Sequence, residues 1–209
     1  MKKGLSVVDV GIHTLRGVHF GISPGHCAGL CGPSGSGKTL LLRALSDLDP
    51  HTGTVWLDGV ASTDIPAPQW RRRVGLLPAE TAWWHDTVEP HFGRVPEKWL
   101  ADLGFDASVM TWQIRRLSTG ERQRLGVLRL LANRPDVLLL DEPTANLDPL
   151  NIDRVDLLLG DYRRRNRPMI LWVSHDTDQL KRNCSAIHTI RGDRLVTEPC
   201  SYDDKQAVP

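Results

Sequence analysis

The segment GPSGSGKT at residues 32–39 constrains this chain more than any other feature, because it works only within one local arrangement of backbone. It fits the pattern G-x-x-x-x-G-K-[ST] without a mismatch. Gly32, Gly35 and Gly37 let the chain turn so that successive N–H groups face phosphate oxygens, with Pro33, Ser34 and Ser36 completing the loop. A helix that follows adds its positive end to the same site. The loop therefore needs a strand before it and a helix after it. Residues 27–31, CAGLC, read as a compact apolar strand, and residues 40–48 begin an apolar helix, so both flanks are as required. In that setting Lys38 is placed to neutralise β- and γ-phosphate charge, and the Thr39 hydroxyl to bind the magnesium that accompanies a nucleotide. A glycine-rich surface turn with a chance lysine would explain neither flank. The loop alone leaves kinase, GTPase, helicase and transport ATPase open.

The remaining sequence supplies a body to carry it. With 209 residues the chain can bury one substantial core, and residues 1–200 are expected to form a single domain with a polar tail at 201–209. Short alternating runs at residues 5–10, 17–22 and 54–57 read as strands of an antiparallel edge sheet. Residues 71–77 read as a further strand. Residues 80–119 read as a small, mostly helical lobe inserted in the α/β body. Then come a helix at 120–132, a buried strand at 137–140, a helix at 152–164 and a strand at 168–174, a succession of βα units. From Glu198 onward the chain is polar and is expected to fray. The fold class is α/β.

Charge and composition exclude several functions. The 26 basic and 25 acidic side chains leave a formal charge of +1, so no global basic surface calls for nucleic acid. The start, MKKGLSVVDV, has no apolar stretch after its lysines, and no run reaches the roughly 18 apolar residues of a membrane span, so a cytoplasmic protein is expected. Cys27, Cys31, Cys184 and Cys200 form no CxxC pair and read as buried or incidental thiols.

Asp141 and Glu142 follow the apolar run at 137–140, which puts two acids at the carboxyl end of a central strand, where ligands bind in such sheets. Asp141 is the expected magnesium-side carboxylate. Glu142 is placed to orient or deprotonate an attacking water beside the γ-phosphate. A purely structural acidic turn is the alternative.

Together the segments resemble the ATP-binding cassette ATPases, the nucleotide-binding subunits of ABC transporters. The resemblance rests on GPSGSGKT at 32–39, LSTGE at 117–121, VLLLDE at 137–142, ANLD at 145–148 and His175, in that order along nearly the whole chain. It implies a P-loop fold of ABC type, ATP and Mg2+ as ligands, hydrolysis to ADP and phosphate, and a head-to-tail homodimer. In that dimer ATP lies between one chain's P-loop and the other's LSTGE segment. Ser118 and the backbone at Thr119 and Gly120 would then donate to γ-phosphate oxygens. Asp148 would organise the dimer interface, and His175 would hydrogen-bond the γ-phosphate or order the water and Glu142. The resemblance further implies a separate integral-membrane permease, with this subunit on the inner face of the membrane and no nucleic-acid partner. A soluble ABC ATPase that remodels a macromolecular assembly and a low-turnover ATP-binding module are the alternatives.

The chain departs from the family pattern in several places. Ala79 stands where a glutamine contacts magnesium or water, and alanine has no polar side-chain atom for that role. Glu80, one position on, is the candidate replacement metal ligand. Thr119 replaces the usual glycine and Glu121 the frequent glutamine. Trp83 and Trp84 follow Ala79 closely and suit either a groove for a partner's helix or core support of the small lobe. No aromatic ring precedes Phe20 to cover adenine, so His13 is the candidate there, or a simple turn residue.

Overall fold

The structure is a computed structural model, and it describes residues 3–200. Strands β1 (Leu5–Gly11), β2 (Val18–Ile22), β4 (Thr52–Leu57) and β5 (Val60–Ala61) form an antiparallel sheet in the order β2-β1-β4-β5. Strands β3 (Cys27–Cys31), β6 (Val74–Leu77), β7 (Val137–Asp141), β8 (Met169–Val173) and β9 (Ala186–Arg191) run parallel, and β10 (Arg194–Pro199) turns back along β9. The resulting order is β10-β9-β3-β8-β7-β6. The P-loop strand β3 thus lies between β9 and β8, and β8 separates it from β7, which carries Asp141.

Alternation along the parallel strands creates two cores. Leu139, Leu171 and Val173 face one way, onto the antiparallel sheet, α1 (Lys38–Leu45) and Trp70 of α2 (Ala67–Arg73). Leu138, Leu140, Ile170 and Trp172 face the other, onto α4 (Thr119–Ala132), α5 (Pro149–Asn166), α6 (Thr177–Asn183) and the small lobe. Successive side chains of a strand point to opposite faces, so a five-residue run that is buried throughout must be covered on both sides.

Several expectations are corrected. Residues 71–77 are not one strand: α2 runs through Arg73 before β6 begins. Pro66 stands at the N-cap of that helix and Pro68 in its first turn, where a missing N–H costs nothing. The Trp70 indole then donates to the Leu45 carbonyl at the end of α1, 2.9 Å away. The inserted lobe is helical as expected, in short pieces. It has α3 (Glu97–Asp102) and 3-10 turns at Glu89–His91, Ala107–Thr111 and Ile114–Arg116. Its Val88, Leu100, Leu103, Val109 and Ile114 pack into the same core as α4 and α5. Glu198 does not fray; it lies in β10 and pairs with Ile187 of β9. The expected tail at 201–209 lies outside the described residues. Among the described residues no helix is long and apolar enough to cross a membrane.

Candidate nucleotide site

Three backbone positions make the P-loop. Gly32, Gly35 and Gly37 take φ of +151°, +74° and +99°, a region that favours glycine because a Cβ is absent. Gly35 faces open space, whereas a Cβ on Gly37 would run into the Thr14 hydroxyl. Helix α1 begins at Lys38, two residues earlier than the apolar pattern indicated, so the loop delivers its last N–H groups directly into a helix start. The Lys38 ammonium donates to the Gly32 and Pro33 carbonyls, both at 2.9 Å, which folds it back over the loop. Ser36 Oγ is buried and has no hydrogen-bond partner among the described residues. A buried hydroxyl without a partner fits a loop built to receive an anion's oxygens.

The second wall comes from β7 and β8. Thr39 Oγ1 donates to Asp141 Oδ2 at 2.7 Å, joining residues 102 positions apart. A hydroxyl and a carboxylate in contact at a phosphate loop are the hard oxygen donors Mg2+ takes together with phosphate and water. These residues therefore fit the magnesium and triphosphate implied by the sequence. Burial pushes the Asp141 pKa up, against the opposing pull of the Thr39 hydrogen bond and Lys38.

Glu142 ends the strand with φ +50°, an uncommon conformation for a residue with a side chain. Its N–H donates to the Val173 carbonyl at 3.1 Å, and its own carbonyl accepts from Gln123 of α4 at 3.3 Å. The carboxylate accepts no hydrogen bond at Oε1, which lies 3.4 Å from His175 Nε2. Burial raises its pKa; the nearby His175 lowers it less. A half-desolvated carboxylate with a free lone pair is a stronger base than one in water. His175 follows β8 with 63% of its side chain exposed, free to face a ligand or a second chain.

The LSTGE segment forms a helix start. Ser118 caps α4, its Oγ accepting from the Glu121 N–H at 3.2 Å, while Glu121 Oε2 takes the Ser118 N–H at 2.8 Å and the Ser118 hydroxyl at 2.9 Å. Glu121 thus closes a capping box, a role that glutamine could also fill. Thr119 is the first helical residue and is absent from the positive-φ positions, so no glycine is required there. Gly120 packs against Leu147, leaving little room for a side chain. Ser118 and Thr119 are exposed. Asp148 caps α5, accepting from the Asn151 N–H at 3.0 Å and from its side-chain amide at 2.6 Å.

Other expected residues lie apart from this cluster. Glu80 is exposed, and no hydrogen bond or ion pair joins it to Thr39 or Asp141. His13 is exposed and lines a surface groove of about 610 Å³ with Ile12, Arg16 and His51. Trp83 is partly buried against the core, and its indole donates to Thr81 at 3.0 Å. Trp84 is 66% exposed. Buried His91 organises both: its Nε2 accepts from the Trp84 and His85 N–H groups at 2.9 and 3.0 Å, and its Nδ1 donates to the Thr87 carbonyl at 3.0 Å. Arg129 lies over both indole rings, 4.5 and 5.0 Å from their centroids. Cys27 and Cys184 are buried free thiols with sulfurs 3.1 Å apart. The sequence offered no pointer to Gln123, His91 or the buried Gln179, because single polar residues within helices and loops reveal their partners only after folding.

Comparison with known proteins agrees with this geometry. The family described as "ABC transporter" matches residues 15–145. ABC transporter I family member 17 of Arabidopsis thaliana is 35% identical over 189 residues, covering 84% of this chain and 72% of that protein. The methionine import ATP-binding protein MetN of Thermobifida fusca is 36% identical over 203 residues, 88% of this chain and 62% of that one. A solved structure of the ATP binding subunit of an ABC transporter superposes with a TM-score of 0.83 at 20% identity, covering 94% of this chain and 90% of that one. A bacterial Atm1-family ABC exporter with ATP bound gives 0.84 at 18% identity, over 95% of this chain and 39% of that one. With a P-loop, paired acids and capped LSTGE helix in the expected order, and with a family match across more than half its length, this chain belongs to the ABC transporter family as an ATPase subunit.

Proposed function

We propose that two copies of this chain close head to tail around ATP and magnesium, and that hydrolysis reopens them to drive a separate membrane permease. The observation that carries the reading is the convergence of Lys38, Thr39, Asp141, Glu142 and His175 at the carboxyl ends of β3, β7 and β8. In this reading Gly32, Pro33, Ser34, Gly35, Ser36 and Gly37 present backbone N–H groups to the phosphates, and Lys38 balances their charge. Thr39 and Asp141 would hold Mg2+, which would supply positive charge beside the γ-phosphate. Glu142 takes the proton of the attacking water through its free Oε1. His175 fixes the Glu142 carboxylate and turns its exposed edge to the γ-phosphate. The exposed Ser118 side chain, turned from Glu121, and the Thr119 and Gly120 N–H groups of one chain complete the other's site, with Asp148 at the interface. Glu80, which lies apart from Thr39 and Asp141, would replace the missing glutamine at the ion after a small backbone adjustment, and unchanged Mg2+ affinity in Glu80→Ala would sink that assignment.

The relatives are named for both import and export, so the reading concerns the motor and not a cargo. The test is phosphate release by the purified full chain with ATP and Mg2+, alongside Glu142→Gln. The variant should bind ATP and dimerise yet lose hydrolysis by two orders of magnitude or about that. Hydrolysis at the parental rate would remove Glu142 as the base. Affinity capture of Glu142→Gln with ATP from solubilised native membranes should recover a polytopic membrane protein in fixed proportion; recovery of soluble partners alone would overturn the permease coupling.

A further inference from the structure

Gln179 lies in the first turn of α6, is only 2% exposed, and belongs to none of the recognised motifs. Its carbonyl oxygen accepts two hydroxyl hydrogen bonds: from Thr144 at 3.1 Å and from Ser174 at 3.3 Å. Thr144 is two residues past Glu142, and Ser174 immediately precedes His175. The side-chain amide of Gln179 donates to Asp156 Oδ1 of α5 at 2.9 Å. That contact fixes which way the amide points, since the opposite orientation would set a carbonyl against a carboxylate. Asp156 is itself held by Asn183, whose amide donates to Oδ2 at 3.1 Å. Ser174 Oγ also accepts the Asp176 N–H at 3.0 Å, tying down the far side of His175.

We propose that Gln179 is a positioning residue that sets the separation of Glu142 and His175 by clamping the chain beyond the first to the chain before the second. The proposal rests on the reading of Glu142 and His175 given above. These two side chains come from different strand ends, and the 3.4 Å between them is bridged by no direct hydrogen bond. One backbone bond ties the two strand ends, from the Glu142 N–H to the Val173 carbonyl at 3.1 Å, and it leaves the turn through Ser174 and His175 beyond β8 to be held by other contacts. Glu142 also sits at φ +50°, which persists only where surrounding bonds over-determine it. The bonds of the Glu142 N–H to Val173 and of its carbonyl to Gln123 and the Ala145 N–H hold that backbone, and one buried amide oxygen shared by two hydroxyls adds the link from Thr144 to Ser174. Asp156, anchored on α5, keeps the amide from rotating away.

The test exploits the polarity of the Gln179–Asp156 pair. Gln179→Leu keeps bulk but removes the shared acceptor, and kcat for ATP hydrolysis should fall by about tenfold to a hundredfold, as misplacement of reacting groups by about 1 Å does. KM for ATP and nucleotide affinity should stay within about threefold, since the P-loop is untouched. Gln179→Glu places a second carboxylate beside Asp156 and should lower kcat similarly by repulsion. The double variant Q179E/D156N reverses donor and acceptor. The new carboxylate still accepts from Thr144 and Ser174, the new amide donates to it, and its carbonyl still accepts from Asn183. That variant should recover kcat to within about threefold of the parent. A purely structural role would give the same ATP affinity and kcat in Gln179→Leu once folding is matched by thermal melting. Parental kcat in folded Gln179→Leu, or no recovery in folded Q179E/D156N, overturns the proposal. Glu142→Gln run in parallel separates the two failures: if it is inactive while Gln179→Leu is parental, only the clamp is refuted, and if it hydrolyses at the parental rate, the reading of Glu142 and the clamp fall together.

Discussion

His188 makes the stability of this fold steeply dependent on acid. It lies on β9 opposite Leu30 of the P-loop strand, is 4% exposed, and packs its ring 4.7 Å from Phe20. Its Nδ1 pairs with Thr197 Oγ1 of β10 at 2.8 Å, while Nε2 is buried without a partner. A proton on Nε2 would place a charge where no acceptor meets it, and burial lowers the pKa from 6.5 to about 4. The unfolded chain therefore binds a proton on this ring before the folded chain does. Stability from this group is complete above about pH 6.5 and is lost as pH falls from there toward 4. At pH 5 the unfolded ring is almost fully protonated and the folded one almost neutral, which amounts to a loss of about 2 kcal/mol, reaching about 3 kcal/mol by pH 4. Urea unfolding at pH 7.5 and pH 5 measures it, with His188→Gln as the reference that keeps a polar side chain but cannot titrate. The parent should lose about 2 kcal/mol more than the variant between the two pH values, whatever their absolute stabilities. Parallel losses in the two proteins would refute the buried neutral ring.

Three further outcomes are expected. Gly37→Ala forces a Cβ into the Thr14 hydroxyl at a φ of +99°, and ATP affinity measured by titration calorimetry should fall by about a hundredfold or more while α2 and the lobe remain folded. Ser118→Ala removes the cap of α4 and the acceptor of the Glu121 N–H, which should cost about 1 kcal/mol in chemical denaturation in the absence of nucleotide. The acid limb of the kcat profile should lie above the ordinary carboxylate range, because burial raises the Glu142 pKa and only the deprotonated form is a base; a limb at or below that range would contradict the role.

The sequence by itself carried the proposed catalytic set, because the chemistry proposed for it depends on short contiguous segments. A P-loop is one turn of backbone, so its glycines, Lys38 and Thr39 are readable in order, and the strand and helix beside it follow from local apolar pattern. The all-apolar run at 137–140 told correctly of a strand covered on both faces. What tertiary structure alone decided was how distant segments meet. The strand reading of residues 71–77 failed because Arg71, Arg72 and Arg73 carry no periodic signal, while Pro66 and the burial of Trp70 under α1 start a helix there. The chain from Glu198 reads as a fraying tail because it is polar; Glu198 and Pro199 are instead held in β10 by pairing with β9, which no local pattern encodes. Glu121 shows the intermediate case, legible as a departure from glutamine but understood only as half of a capping box. Gln179, His188 and His91 were silent for the same reason. A buried polar side chain takes its meaning from partners brought to it by the fold, and the cost of leaving it unpaired is what makes that meeting specific.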